Sequence, residues 1–496
     1  MTMNISLLSL ALVAAQALAQ SQGSCNELRS KLLSAQWTEG TIVSFPEDGE
    51  DFTNYTMRWS GYREPTYVAN VSPATEDDVA LAVQFARDND IEFLATGGRH
   101  GYAPVYGSLQ SGLSISLENL DLVRVNQTAA TLTVGGGVRI RDVTQAVAEA
   151  GFEMPIGGCS CPGLVGVTLG GGITNWLGIH GLLIDVLDSV RVVTADSRIL
   201  VASETENSDL FWGIRGAGQN FGIVVEATYR LAPPTNNNEI LVVDAAFPAI
   251  TNVSYYTALV ELLSQDNPYL TTNSIVNWGA QLNQATIMAN FHYMGPADEG
   301  MALLAPLLDL GTVMFNTHTI PWGEYHRTTL FGRDEQNCQV GPIRLPFGAM
   351  TRNNSVESLT RSFNRMAKLY EDFPGTRNSA LIYHTYDPAA ARAIPDESTA
   401  FAWREAKQWM YVLLNWAPGD WVSENGGNAI ASVIRDDFAA TSGFDGLASY
   451  AVFGRGDETL EQIYSPRKLP QLAALKATWD PDNVFKFHYP IPTTYP

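Results

Sequence analysis

Between Gly157 and Gly172 the chain reads Gly-Gly-Cys-Ser-Cys-Pro-Gly-Leu-Val-Gly-Val-Thr-Leu-Gly-Gly-Gly, seven glycines in sixteen residues. Such a stretch buries little apolar surface of its own and loses a great deal of chain entropy when it is ordered. It makes sense only where a large flat partner supplies the missing contacts. A shorter stretch of the same kind, Thr96-Gly-Gly-Arg-His-Gly-Tyr102, follows an apolar run at Ile91–Ala95 that reads as a strand. There too, backbone N–H groups are free to approach a phosphate or a ring.

The 496 residues are 45% hydrophobic and 17% charged, an ordinary globular balance that excludes a disordered or low-complexity chain. At about 150 residues per domain, the length suits roughly two to three domains. Lys plus Arg number 30 against 52 Asp plus Glu, a formal charge of −22. A field of that sign repels phosphate backbones and anionic lipid, so no nucleic acid and no membrane partner is expected. Ile5–Ala15 is an uncharged apolar run, and Ala17-Leu-Ala19 has the small-x-small form of a signal peptidase site. Residues 1–19 are therefore read as a removed signal peptide, although a positive n-region is missing, and the mature protein as secreted. Sequons at Asn54, Asn70, Asn126, Asn252 and Asn353 agree with that route.

Four cysteines remain, at 25, 159, 161 and 338. Cys159 and Cys161 are too close for an unstrained bridge to each other, and their place inside the glycine-dense stretch points to chemistry for at least one of them. A Cys25–Cys338 bridge is open to the chain.

Periodicity divides the chain into an N-terminal segment at 20–60, a first domain at 61–234, a second at 235–445, and a closing segment at 446–496. In the first, a helix is expected at Asp77–Asp88, strands at Leu113–Leu117 and Ala130–Val134, a helix at Ile140–Ala150, a hairpin from Val190 to Val201, a helix at Ser208–Arg215 and a strand at Ile223–Leu231. Pro233–Glu239 has the composition that ends domains. The second mixes strands such as Glu239–Ala246 with helices such as Val356–Asp372. The closing segment is expected to start with a strand at Leu447–Phe453 and to continue into a helix ending near Thr478.

Gly216-Ala-Gly-Gln-Asn-Phe-Gly222 is excluded as a dinucleotide fingerprint, because a helix precedes it and a strand follows, the reverse of the order such a loop needs. Gly135-Gly-Gly137 lacks the spacing and reads as a plain loop. No GxSxG elbow, Walker loop or HExxH helix occurs. The seven histidines, at 100, 180, 292, 318, 326, 384 and 488, lack metal-ligand spacing, so no metal is expected.

On the two glycine-rich stretches the chain resembles the berberine bridge enzyme-like family of flavoprotein oxidases, within the vanillyl-alcohol oxidase type, PCMH-type FAD-binding superfamily, and most of all its fungal secreted members. That family typically tethers FAD through a His in an R-S-G-G-H-S loop and a Cys in a C-P-x-V-G-x-G-G-x-x-x-G-G-G loop. His100 falls on the first. In the second the glycine triplet begins eleven residues after the Cys, and 170 − 159 = 11, so Cys159 matches without a gap. Cys161 stays open as an alternative attachment point. Asn207–Val225 and Leu475–Phe485 resemble two further family segments, while the middle domain carries no matching motif.

The resemblance implies an α+β fold: a two-lobed FAD-binding PCMH-type domain, an α/β substrate domain with a mainly antiparallel sheet, and a C-terminal segment returning to the FAD domain. It implies FAD held bicovalently, by His100 at the 8α-methyl group and Cys159 at C6. Around the cofactor it places Thr96, Gly97, Gly98, Arg99, Gly101, Tyr102, Gly158, Gly163, Gly166, Gly170, Gly222, Ile223 and Val224. The expected partners are a small-molecule substrate and O2, and the expected state is a monomer.

Departures fall at Arg99, where the family has glycine, at Gly101, where it has Ser, and at the extra Cys161. The family's Tyr-x-Asn-Tyr is here Tyr450-Ala-Val-Phe453, so the last tyrosine, which many members use to deprotonate the substrate, is a phenyl ring that cannot take a proton. Tyr450 is the first candidate for the base, with support of the flavin site as its other role; Tyr102, Tyr106, His384 and Tyr386 are further candidates. The reading is an FAD-linked oxidase of a fungal-type secondary metabolite, which passes hydride to flavin N5 and is reoxidised by O2 with release of H2O2. The alternatives are a carbohydrate oxidase, against which Phe453 counts, and a flavin-containing cyclase or isomerase, which would consume no oxygen.

Overall fold

The Glu76–Asp88 helix shows how local sequence builds the first layer. Thr75 caps it by accepting the Asp78 N–H, three acidic residues occupy the first turn and Arg87 the last, which suits the helix dipole. Its buried face, Val79, Ala82, Val83 and Ala86, packs on Val71, Leu113 and Ile115. The computed structural model describes residues 26–496. The leader reading at 1–19 and Cys25 lie outside the described residues.

That helix covers a four-stranded sheet of β1 (Ile42–Ser44), β2 (Tyr67–Ser72), β3 (Phe93–Thr96) and β4 (Gly112–Ser116), in the order β1-β2-β4-β3. β4 runs parallel to both its neighbours. A five-stranded antiparallel sheet follows, from β5 (Val123–Asn126), β6 (Thr131–Gly135), β7 (Leu187–Val193), β8 (Ile199–Ser203) and β9 (Ile223–Arg230), ordered β5-β6-β9-β7-β8. The Ile140–Glu149 helix buries Ile140, Val143 and Val147 in the core beside it.

The third sheet begins beyond Pro233–Glu239 and holds β10 (Ile240–Pro248), β11 (Leu270–Gly279), β12 (Gln284–Tyr293), β13 (Met314–Ile320), β14 (Leu345–Thr351), β15 (Ala380–Tyr386) and β16 (Gln408–Leu414). Its order is β13-β10-β12-β11-β15-β16-β14, antiparallel at every pairing. Strand alternation splits it into two faces. Leu381 and Tyr383 of β15, with Met410, Val412 and Leu414 of β16, join a core with Phe363 and Met366 of the Val356–Asp372 helix and Ile434 of the Trp421–Thr441 helix. The intervening residues Ile382, His384, Tyr386, Tyr411 and Leu413 face a cavity toward the two glycine-rich loops.

The closing segment returns to the first part of the chain. Buried Lys476 binds Asp480 at 2.6 Å and donates to the carbonyls of Asn220 and Phe485. Leu447–Phe453 is not the expected strand: it is irregular and ends in a 3-10 turn at Ala451–Phe453. The turn brings Tyr450 and Phe453, three apart, onto the same cavity, which strand alternation forbids. Asn70 is fully buried and donates to Ser44 and Ser72, so that sequon is no glycan site. Asn54, Asn126 and Asn353 are exposed. No helix among the described residues is long and apolar enough to cross a membrane.

Candidate active site

Both glycine-rich stretches border one cavity of about 850 Å³, near the upper end of ligand-pocket volumes. They reach it by touching each other. A Cβ on Gly163 would come 2.7 Å from the Gly98 nitrogen, and one on Gly98 would collide with Gly163 in turn, so only two side-chainless residues let the loops meet. Thr96, Gly97, Gly98, Arg99, His100, Gly101 and Tyr102 line the cavity from one loop, and Gly158, Cys159, Gly163 and Gly166 from the other. Gly222, Ile223 and Val224, at the start of β9, form part of the same wall. Gly170 is not among the lining residues; a Cβ on it would press on Val452, which is, at 2.7 Å. Gly136, read from the sequence as part of a plain loop, lines the cavity.

His100 is clamped. Its ring stacks on Trp59 at 4.2 Å and 19°, and the Arg344 guanidinium covers Trp59 at 3.9 Å. Burial, reinforced by Arg344, drives the imidazole down to about 3, so it is neutral at physiological pH. Its Nε2 is buried with no hydrogen-bond partner among the described residues. Arg99 has φ of 52°, the left-handed region that favours the family's glycine. Its guanidinium holds Glu118 at 2.7 Å and the Met57 carbonyl at 3.2 Å.

Cys161 is bonded to Cys338, with Cα atoms 5.7 Å apart. This overturns the Cys25–Cys338 pairing and removes Cys161 as an attachment point, leaving Cys159 as the free thiol among the described cysteines. The bridge joins the glycine-dense loop to the Asp334–Asn337 turn, which also accepts the Ser160 N–H through Asp334. Cys159, Cys161, Asp334 and Cys338 lie within 4.8 Å of one another, but with two sulfurs bridged they form a cross-link rather than a set of metal-binding thiolates. Burial pushes the Cys159 thiol up to about 11, while the Cys161 N–H and Arg344 pull the other way.

All five candidate bases line the cavity. Tyr450 accepts the Gly172 N–H at 3.1 Å, and burial pushes its phenol up to about 12. Gly172 has φ of +78°, so the tyrosine secures a turn that glycine alone makes readily. Arg58 covers the ring of Tyr106, and burial raises the Tyr102 and Tyr386 phenols. No motif marks Tyr411, whose ring lies 4.3 Å from Phe453, or Trp59 and Arg344. Strand alternation in β16 separates Tyr411 from Met410 and Val412 but does not say which face meets the loops.

Comparison with known proteins settles the family. An FAD binding domain model matches residues 68–203, and a berberine and berberine-like model matches 449–492. The chain is 42% identical over 458 residues to the FAD-linked oxidoreductase OXR1 of Pyricularia oryzae, covering 92% of this chain and 90% of that protein. It belongs to the berberine bridge enzyme-like FAD-linked oxidoreductases. A second family member, fogF of Aspergillus ruber, is 40% identical over 477 residues, 95% of each chain. The solved structure of Physcomitrella patens BBE-like 1 shares the family fold, with a TM-score of 0.80 over 95% of this chain and 100% of that one at 20% identity.

The site fits the family's FAD. Gly166 lines the cavity with nothing within 4 Å of a Cβ built on it, a smooth floor for a flat ring, and the unpartnered His100 Nε2 and the free Cys159 thiol stand on the same cavity.

Proposed function

We propose that the chain is a secreted oxidase holding FAD by bonds from His100 and Cys159 and oxidising a small organic substrate at the expense of O2. When bound, FAD accepts two electrons and a hydrogen from a substrate carbon, and O2 reoxidises it with release of H2O2. The reading is carried by the meeting of these two side chains on one cavity: a neutral imidazole with a buried, unpartnered nitrogen and a free thiol. Trp59 holds the imidazole plane. Arg344 favours the thiolate, the form in which sulfur makes new bonds. Tyr450 acts as a positioning residue that fixes the glycine triplet through Gly172.

The substrate end of the cavity is walled by the rings of His384, Tyr386, Tyr411, Tyr450 and Phe453. The phenyl ring at Phe453 offers no hydrogen-bond partner where a phenol would, which favours a planar, largely apolar molecule of the secondary-metabolite kind over a sugar, whose many hydroxyls each need one. Acid precipitation of the purified protein, followed by peptide mass mapping, tests the double tether. Flavin should stay with the peptides containing His100 and Cys159; flavin in the supernatant refutes it. Fast peroxide release from oligosaccharides would reject the substrate class.

A further inference from the structure

One transverse row of the seven-stranded sheet is polar from β10 to β15. Asp244 is opposite Asn290, Asn290 opposite Asn273, and Asn273 opposite His384 in direct register. Four adjacent strands thus present their side chains on one face, and all four residues are bonded in series. Asp244 accepts the N–H groups of Leu330 at 3.2 Å and Phe331 at 2.7 Å, and the Asn290 amide at 2.6 Å. Asn273 donates to the Asn290 carbonyl oxygen at 3.4 Å, and His384 Nδ1 meets the Asn273 carbonyl oxygen at 2.6 Å.

The chain has one consistent direction. A carboxylate receiving three N–H donors only accepts, so Asn290 must turn its NH2 to Asp244 and its oxygen to Asn273. Asn273 then turns its oxygen to His384, which must carry its proton on Nδ1. Nε2 is left as a lone pair toward the cavity that His384, Asn273 and Asn290 line, among the rings of Tyr386, Tyr411 and Phe453. The phenol lost at Phe453 is therefore bordered by an imidazole held in the accepting tautomer.

We propose that His384 is the catalytic base, taking the hydroxyl proton of an alcohol substrate through Nε2, and that Asp244, Asn290 and Asn273 are positioning residues that set its tautomer. This rests on the oxidase reading above. The overall reaction balances as alcohol plus O2 giving carbonyl plus H2O2: two electrons and two hydrogens leave the substrate, the hydroxyl one as a proton that His384 holds and later releases to the peroxide. Burial lowers the imidazole to about 4, which keeps it neutral and able to accept across the physiological range.

Two measurements on the holoenzyme test this. In protein labelled with 15N-histidine, with His384→Gln assigning the signal, His384 should be protonated at Nδ1 and bare at Nε2. Asp244→Asn places an NH2 within the chain, so Asn290 and Asn273 turn over and the proton should move to Nε2. A wild-type His384 protonated at Nε2 overturns the proposal. The second measurement follows anaerobic bleaching of the flavin absorbance by benzyl and cinnamyl alcohols. His384→Gln should bleach about 10²–10⁴-fold more slowly with its resting spectrum and melting temperature kept, and Asp244→Asn should be slowed in parallel with its tautomer change. A glutamine variant within threefold of wild type overturns the assignment. A yellow protein that O2 reoxidises after photoreduction, but that neither alcohol bleaches, overturns the alcohol step and leaves the oxidase reading standing. A colourless protein topples the oxidase reading and this proposal with it.

Discussion

Cys159 Sγ lies 3.7 Å from Cys161 Sγ, yet only Cys159 is a thiol, because Cys161 is bonded to Cys338 across 177 residues. The bridge therefore decides which sulfur is available on the cavity. Cys338→Ser should free Cys161 and lower stability by about 2–4 kcal/mol. Mass mapping should then find part of the flavin attached through Cys161 instead of Cys159, because the freed sulfur stands beside the one that borders the cavity. Full flavin occupancy on Cys159 with an unchanged melting temperature would show that the bridge has no such role.

Arg99 sits at a φ of 52° and pairs with Glu118. Arg99→Ala keeps the left-handed backbone and loses the ion pair, whereas Arg99→Gly loses the pair but relieves the backbone. The glycine variant should therefore be the more stable of the two by about 1 kcal/mol, read from denaturant melts. The opposite order sinks the strain argument.

Tyr450→Phe removes the acceptor of the Gly172 N–H and leaves a buried donor unpaired. A cost of about 1–3 kcal/mol is expected, with a shifted flavin absorbance. Turnover should fall by less than tenfold. A loss of a thousandfold at unchanged stability would make Tyr450 the proton acceptor instead.

His292, His384 and His488 are held down to about 3, 4 and 4 by burial, below an ordinary 6.5. Between those values the unfolded chain binds protons that the folded chain refuses. Their contribution is thus fully present above pH 6.5 and drains away as pH falls toward 4. Each adds about 1.4 kcal/mol per pH unit to the slope. Urea midpoints at pH 7, 6 and 5 should fall progressively, and a flat series rejects the assignment of neutral buried imidazoles.

The helices at 76–88, 140–149 and 356–372 and the order of elements around Gly216–Gly222 were legible because each depends on spacing along one stretch of chain. The Leu447–Phe453 segment misled because its apolar residues serve a turn that aims two rings at one cavity, a demand set by distant residues. Trp59, Arg344 and Tyr411 were invisible for the same reason: each acts on a partner far away in sequence, and nothing beside it in the chain marks that use.

By itself, then, the sequence determined that two side-chainless loops carrying an imidazole and a thiol must enclose a large flat partner, since glycine composition is a local property with a local entropic consequence. Which sulfur is free, which face of the third sheet meets the loops and which way the Asp244–His384 chain of hydrogen bonds runs were decided only by tertiary structure. Disulfide pairing, strand register and hydrogen-bond direction are relations between residues that the chain keeps apart and the fold brings together.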